Sequence, residues 1–189
     1  MRLVLLGPPG AGKGTQAKRL AAALGVPAIS TGDIFRANIS EGTELGLRVQ
    51  SILRDGGLVP DEVTNDMVRD RLGQADCSGG FILDGYPRTL AQVDALDGIL
   101  KGLDAQLDRV LELTVDVDEV VRRLHQRAVE EGRDDDKPDV IRHRQTVYQR
   151  DTAPLVEVYR ERGLLTEVDG LGALDDVTSR LTAALRPAA

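Results

Sequence analysis

The amino-acid sequence predicts an α/β protein, a three-layer α/β/α arrangement around a five-stranded parallel sheet of the P-loop type. Two observations carry that expectation. Short apolar runs alternate with helical patterns along the 189 residues, the order that βαβ units with parallel strands require. The first run also leads straight into a glycine-rich turn, "GPPGAGKGTQ" from Gly7 to Gln16, and a helical pattern follows it.

Taken in order, "RLVLLG" is a short apolar run bounded by glycine and proline, which suits a strand covered on both faces. Residues 13–24 then set Ala17, Leu20, Ala21 and Leu24 at helical spacing. "VPAIS" is the second strand, "GGFILDGYP" the third, "DRVLELTV" the fourth and "GLLTEVDG" the fifth. Between the second and third, residues 30–59 carry helical patterns around Thr31–Ile39 and Leu45–Leu53 and read as a small helical insertion. After the fourth strand, Val117, Val120, Val121, Leu124 and Ala128 form one helical stripe. Arg123 and Arg127, four apart, share a flank of that stripe, and Arg122 points toward solvent. The stretch 127–139, "RAVEEGRDDDKPD", is charged and without apolar periodicity; it reads as an exposed loop in the position of a lid. Tyr148, Leu155 and Tyr159 recur downstream at roughly helical spacing and read as core. There is no internal repeat, linker or second domain, so one domain spans 1–189.

Composition narrows the classes. With 41% hydrophobic and 29% charged residues the chain is an ordinary globular protein. A net charge of −7 disfavours a general nucleic-acid or anionic-membrane binder, and no apolar run approaches the roughly 20 residues of a membrane span. Cys77 is the single cysteine, which excludes a disulfide framework or a cysteine-rich zinc site and points to a reducing cytoplasm. Of 24 basic residues only 4 are lysine; arginine suits bidentate recognition of phosphate, but that reading rests on where each arginine sits.

The glycine turn is the strongest local signal. Gly7, Gly10, Gly12, Lys13 and Gly14 lie between a strand and a helix, where backbone N–H groups and the helix dipole converge on phosphate oxygens. Lys13 would reach the outer phosphates of a nucleotide. Asp84, ending the third strand, suits a magnesium ion held through water. Arg88, four residues on, projects toward the ligand-binding end of the sheet and can clamp a phosphate with parallel hydrogen bonds. His125 and His143 have no partners at ligand spacing and read as structural or surface residues.

The turn ends Gly-Lys-Gly-Thr, the form that resembles the phosphate loop of nucleoside monophosphate kinases. "ISTGDIFRANI" and "GYPRTLAQ" resemble the monophosphate-binding motifs of adenylate kinases, and "DGGLVPDE" resembles that family's hinge. The resemblance covers nearly the whole chain. It implies reversible transfer from Mg·ATP to AMP giving two ADP, with Mg2+ carried by the nucleotide, and a role in adenine nucleotide balance. It further implies that Gly10, Ala11, Gly12, Lys13, Gly14, Thr15, Arg123 and Arg127 hold ATP, with Gly172 of "VDGLG" under its adenine. AMP falls to Thr31, Arg36, Gly57, Leu58, Val59, Gly85, Arg88 and Gln92, with Arg133 and Arg144 meeting both nucleotides on lid closure. Arg144 is preferred to Arg142, which lies about 200° round the helix. Lys13, Arg88, Arg123, Arg133 and Arg144 would carry catalysis; Asp134 and Asp135 read either as residues that orient the arginines or touch ribose, or as a solvated acidic run.

Only five residues separate Arg127 from Arg133, so the chain resembles the short-lid form, with the lid at 126–136, the AMP-binding insertion at 30–59 and no structural zinc. The expected molecule is a cytoplasmic monomer that binds neither nucleic acid nor membrane. A UMP/CMP kinase or a GTP:AMP phosphotransferase is the competing enzymatic reading, and an inactive nucleotide-binding regulator the competing non-enzymatic one.

Overall fold

The computed structural model describes residues 1–131 and 136–186. Five strands, β1 (Arg2–Leu6), β2 (Ala28–Ser30), β3 (Phe81–Asp84), β4 (Arg109–Thr114) and β5 (Leu165–Asp169), form one sheet in the order β2-β3-β1-β4-β5. Every pairing is parallel. The chain leaves β1 toward β2 and β3 on one side and later crosses to β4 and β5 on the other. The turn after β1 therefore sits at the switch point, where open α/β sheets bind ligands. Register brings Leu5, Asp84 and Ser30 level with one another, so the glycine turn, the end of β3 and the start of the next helix emerge at one edge.

Side-chain alternation divides the core into two layers. Val4, Leu6, Ile29, Leu83 and Val110 face one side, where they meet Val93, Leu96, Leu155 and Tyr159 from the helices α5 (Leu90–Gly102) and α8 (Pro154–Glu161). Leu3, Leu5, Ile82, Leu111 and Leu113 face the other and meet Leu20 of α1 (Lys13–Leu24) and Val177 and Leu181 of α9 (Leu174–Ala184). Strands covered on both faces read as near-continuous apolar runs, as β1 and β3 do; β4 and β5 carry polar residues, and only Val168 of β5 is buried.

Between β2 and β3 stand α2 (Thr31–Ser40), α3 (Glu44–Arg54) and α4 (Asp61–Leu72). Phe35, Val49 and Val59 form a small core of their own there. Thr43 caps α3, accepting from the Gly46 N–H at 3.0 Å, and Gly46 lets the two helices touch: a Cβ there would lie 2.2 Å from the Asn38 carbonyl oxygen. The helix α4 follows the interval that the sequence marked as an insertion and packs against α5.

The charged stretch after β4 departs from expectation. The helix α6 (Val117–Glu131) runs five residues into the span that reads as loop, and Asp136, in the same span, is buried. The helix continues because Arg127, Ala128 and the glutamates after them are good helix formers extending a helix already nucleated by the Val120–Leu124 seam. That seam is also narrower than the predicted stripe. Val120 and Leu124 are buried with Ile141 of α7 (Pro138–Val147), whereas Val117 and Val121 are exposed. The seam rests on the glycine turn itself: at Gly10, with φ +91°, a Cβ would lie 2.9 Å from Leu124 Cγ and 3.0 Å from the Val120 carbonyl oxygen.

Candidate active site

The glycine turn is held by its carbonyl groups. Lys13 Nζ donates to the Gly7 and Pro8 oxygens at 2.6 and 2.9 Å. Gln145 Nε2 donates to Pro9 O at 3.1 Å, and Arg123 Nη1 to Ala11 O at 3.2 Å. Gly12, left-handed at φ 93°, precedes α1 with no side-chain cap, in contrast to α2, α3 and α5, which are capped by Ser30, Thr43 and Thr89. The first-turn N–H groups of α1 have no intrahelical acceptors, so the turn presents a cradle of donors at a positive helix end. Gly14 keeps the start of α1 close to β3: a Cβ on it would lie 3.3 Å from Asp84 Oδ2. Thr15 is exposed on the same turn.

Lys13, Arg88 and Arg144 line one cleft with Gly7, Gly85 and Tyr148. Burial pushes the Lys13 amine down to about 8; Asp84 opposes this, and Arg88, Arg144 and Arg127 add to it. A lysine held near cations in a partly dehydrated site is what a poly-anionic ligand would relieve. Tyr148 is buried, as expected of core, yet it also faces this cleft. Leu155 and Tyr159 lie wholly in the core.

Seven of the eight residues expected on the AMP side by sequence resemblance, excluding the lid arginines, come together. Thr31, Gly57, Leu58, Val59, Gly85, Arg88 and Gln92 line a second cavity next to the first. Thr31 donates to Gly85 O at 2.9 Å and Arg88 Nε to the same oxygen at 2.9 Å. Gly85 has φ +79°, and a Cβ there would lie 2.8 Å from Thr31 Oγ1, so only glycine fits. Gln92 is buried; its Oε1 accepts from the Arg88 N–H and its Nε2 donates to Asp61, each at 2.7 Å. Arg36 is the eighth. It pairs with Asp33 over Gly32 rather than lining the cavity.

The remaining arginines divide as the helical geometry requires. Arg123 and Arg127 are half-buried, and Arg122 is exposed. Arg123 Nη2 also donates to Gly170 O at 2.9 Å, joining the glycine turn to the turn that holds Gly172. Asp136 accepts both Arg127 donors at 2.6 Å and Arg144 Nη1 at 2.8 Å. Arg142 pairs instead with Asp139 in solvent. Arg133, Asp134 and Asp135 lie outside the described residues. His125 and His143 are exposed.

Sequence reasoning missed three anchoring carboxylates. Asp136 was hidden as the third of three aspartates. Asp61 stood at a helix start, where a first-turn acid needs no other reason. Glu119 had a visible signal, its i,i+3 and i,i+4 spacing to Arg122 and Arg123; hydrogen bonds from both hold its carboxyl down to about 2.

A phosphate cradle at the switch point of a parallel sheet, faced by a lysine and convergent arginines, defines a P-loop nucleotide-binding phosphotransferase. The family model for adenylate kinase matches residues 5–164. The chain is 62% identical to an adenylate kinase of Kocuria rhizophila over 184 residues, 97% of this chain and 98% of that one. It is 59% identical to one of Clavibacter michiganensis over 97% and 92% of the two chains, and 56% identical to one of Thermobifida fusca over 98% of each. The chain belongs to the adenylate kinase family.

Proposed function

We propose that the protein transfers a phosphoryl group reversibly from Mg·ATP to AMP, giving two ADP, and so balances adenine nucleotides. The observation that carries this reading is the meeting of Lys13, Arg88 and Arg144 in one cleft, beside a separate cavity that shares Arg88. Two adjoining sites with a shared guanidinium suit a donor and an acceptor phosphate.

The nucleophile is an AMP phosphate oxygen, already anionic near neutral pH, so no general base is needed. Catalysis lies in alignment and in neutralising charge on the transferred group. The N–H groups from Gly10 to Thr15 and the Lys13 ammonium hold the outer ATP phosphates. Arg88, fixed through its own N–H and Nε, grips the AMP phosphate, and Arg123, Arg127, Arg133 and Arg144 close over the transferring group. Thr31, Gln92 and the Gly57–Val59 backbone read AMP, Arg36 swings from Asp33 to join them, and Gly172 lies under the donor adenine. Residues 30–59 act as the acceptor flap and 126–136 as a short lid of a single P-loop domain, excluding water from the transfer.

Asp84 fits a magnesium ion carried by the nucleotide. Its carboxylate ends β3 against the start of α1, where a Cβ on Gly14 would lie 3.3 Å from Oδ2 and where its charge opposes the lowering of the Lys13 amine; it is a hard oxygen donor suited to a hydrated cation. When bound, the ion offsets charge on the ATP phosphates. Among the described residues no group of three or more His, Cys, Asp or Glu is placed to hold a metal, and no helix is long and apolar enough to cross a membrane. A cytoplasmic monomer suits this role. Initial rates with AMP, CMP, UMP and GMP, each with Mg·ATP, test the reading: AMP is expected to be the fastest acceptor, and a faster rate with CMP or UMP overturns it.

A further inference from the structure

The turn between β5 and α9 is held from two sides. From the cleft, Arg123 donates to Gly170 O. From the outer face, Arg180 of α9 reaches back across it: Nη1 donates to Asp169 O and lies 3.1 Å from Asp169 Oδ2, while Nη2 donates to Leu171 O at 2.6 Å. Asp169 Oδ1 in turn accepts from the Leu171 N–H at 2.9 Å. Three successive carbonyls, 169 to 171, are thus fixed by two guanidiniums. Gly172, at φ +101°, comes next, and a Cβ there would lie 3.3 Å from Arg180 Nη2.

We propose that Arg180 is a positioning residue that sets donor-base specificity, holding this turn so that it accepts a 6-amino purine and rejects a 6-oxo purine. The proposal rests on the reading that Gly172 lies under the donor base. A turn that reads a base edge with its backbone discriminates only if its peptide planes are fixed. A carbonyl accepts from an exocyclic amine and meets an oxo group as acceptor against acceptor; a plane free to rotate presents an N–H and takes either. Arg180 supplies the planar fork that pins the carbonyls on each side of Gly170, which removes that freedom before the nucleotide arrives.

Initial rates with ATP and GTP as donors and AMP as acceptor test this in the full chain. R180A is expected to lower the ATP:GTP ratio of kcat/KM by about tenfold, through a higher KM for ATP, with the KM for AMP unchanged. R180K, which keeps the charge but not the fork, should recover part of the ratio, and it carries the test if R180A does not fold. R19A, which removes a separate α1–α9 contact to Asp175 and Thr178, should leave the ratio as in the wild type. Equal loss with both donors in R180A and R180K, or an unchanged ratio, overturns the proposal while the wild-type ATP preference stands. A wild-type enzyme that uses GTP as well as ATP overturns the donor-base reading and the proposal together.

Discussion

The two sides of the cleft are built from different chemistry. Around Gly85, position is set by hydroxyls, amides and one carboxylate: Thr31 and Arg88 share a carbonyl, Gln92 bridges Arg88 to Asp61, and Thr89 donates to Asp61 at 3.0 Å. Around α6 and α7, position is set by ion pairs, with Arg127 and Arg144 both resting on one buried carboxylate, Asp136. The first side is a hydrogen-bonded lattice in which Gln92 bridges the Arg88 backbone to the Asp61 carboxylate. The second stores cations against an anion, and a phosphate must compete with Asp136 for them. On the proposed reading, most of the acceptor side is already assembled, Arg36 excepted, while the donor side must exchange partners.

The largest effects should come where the two sides meet. Lys13→Met and Arg88→Ala each remove a cationic side chain that lines the cleft and that the proposed mechanism assigns to phosphate. Turnover should fall by at least about 10²- to 10³-fold, with far-UV circular dichroism unchanged. Near-normal turnover in both refutes their roles.

Asp136→Ala separates folding from catalysis on the ion-paired side. It leaves two guanidiniums without their buried counter-charge, which costs about 3 kcal/mol. For a chain of this length that lowers Tm by roughly 6–12 °C. Calorimetry of the ligand-free protein checks it; saturating nucleotide should restore much of the loss by supplying phosphate in place of the carboxylate.

On the hydrogen-bonded side, Gln92→Leu strands the Arg88 N–H and takes one donor from Asp61, which keeps Thr89. The expected cost is about 1–3 kcal/mol, and KM for AMP should rise with KM for ATP unchanged. An equal rise in both would mean that the two sides are not separable.

The same contrast explains what the sequence could reveal. The central strands were legible because a doubly covered parallel strand is a short apolar run, as residues 81–83 are; the edge strand β5, with Val168 alone buried, was legible from its place in the βαβ alternation. The glycine turn was legible because its backbone geometry demands glycine at fixed places. Thr31 and Gln92 came from resemblance, and the cavity they share supports the grouping. Asp136 was not legible: its burial depends on two arginines, nine and eight positions away, converging after α6 has passed what read as a loop. An ion pair across a turn leaves no periodic trace. Arg36 differs, since its i,i+3 spacing to Asp33 on α2 does leave such a trace.

Protonation distinguishes the sides without mutation. The Lys13 amine titrates near 8, below the ordinary 10.5, chiefly through burial. Bound phosphate favours the ammonium form and raises this value. Nucleotide affinity should therefore be full below pH 8 and weaken as pH rises through the bound-state value. Titration calorimetry near pH 8.5 in buffers of differing ionisation enthalpy should show proton uptake of up to about one per site, vanishing near pH 6.5. By the same sign, this group makes the ligand-free fold more stable, not less, as pH climbs from about 8 toward 10.5.

The smallest expected effect is also the sharpest control. Arg142 and Arg144 sit two positions apart on α7 with the same charge and nearly the same stretch of sequence. Arg142 pairs with Asp139 with both side chains largely in solvent; Arg144 is mostly buried against Asp136 and lines the cleft. Arg142→Ala should change stability by less than about 1 kcal/mol, the range of an exposed pair, and leave kcat within error. Arg144→Ala should lower kcat by at least about tenfold. Comparable losses in both would mean that net positive charge near the cleft, rather than a guanidinium placed by Asp136, is what the ion-paired side contributes.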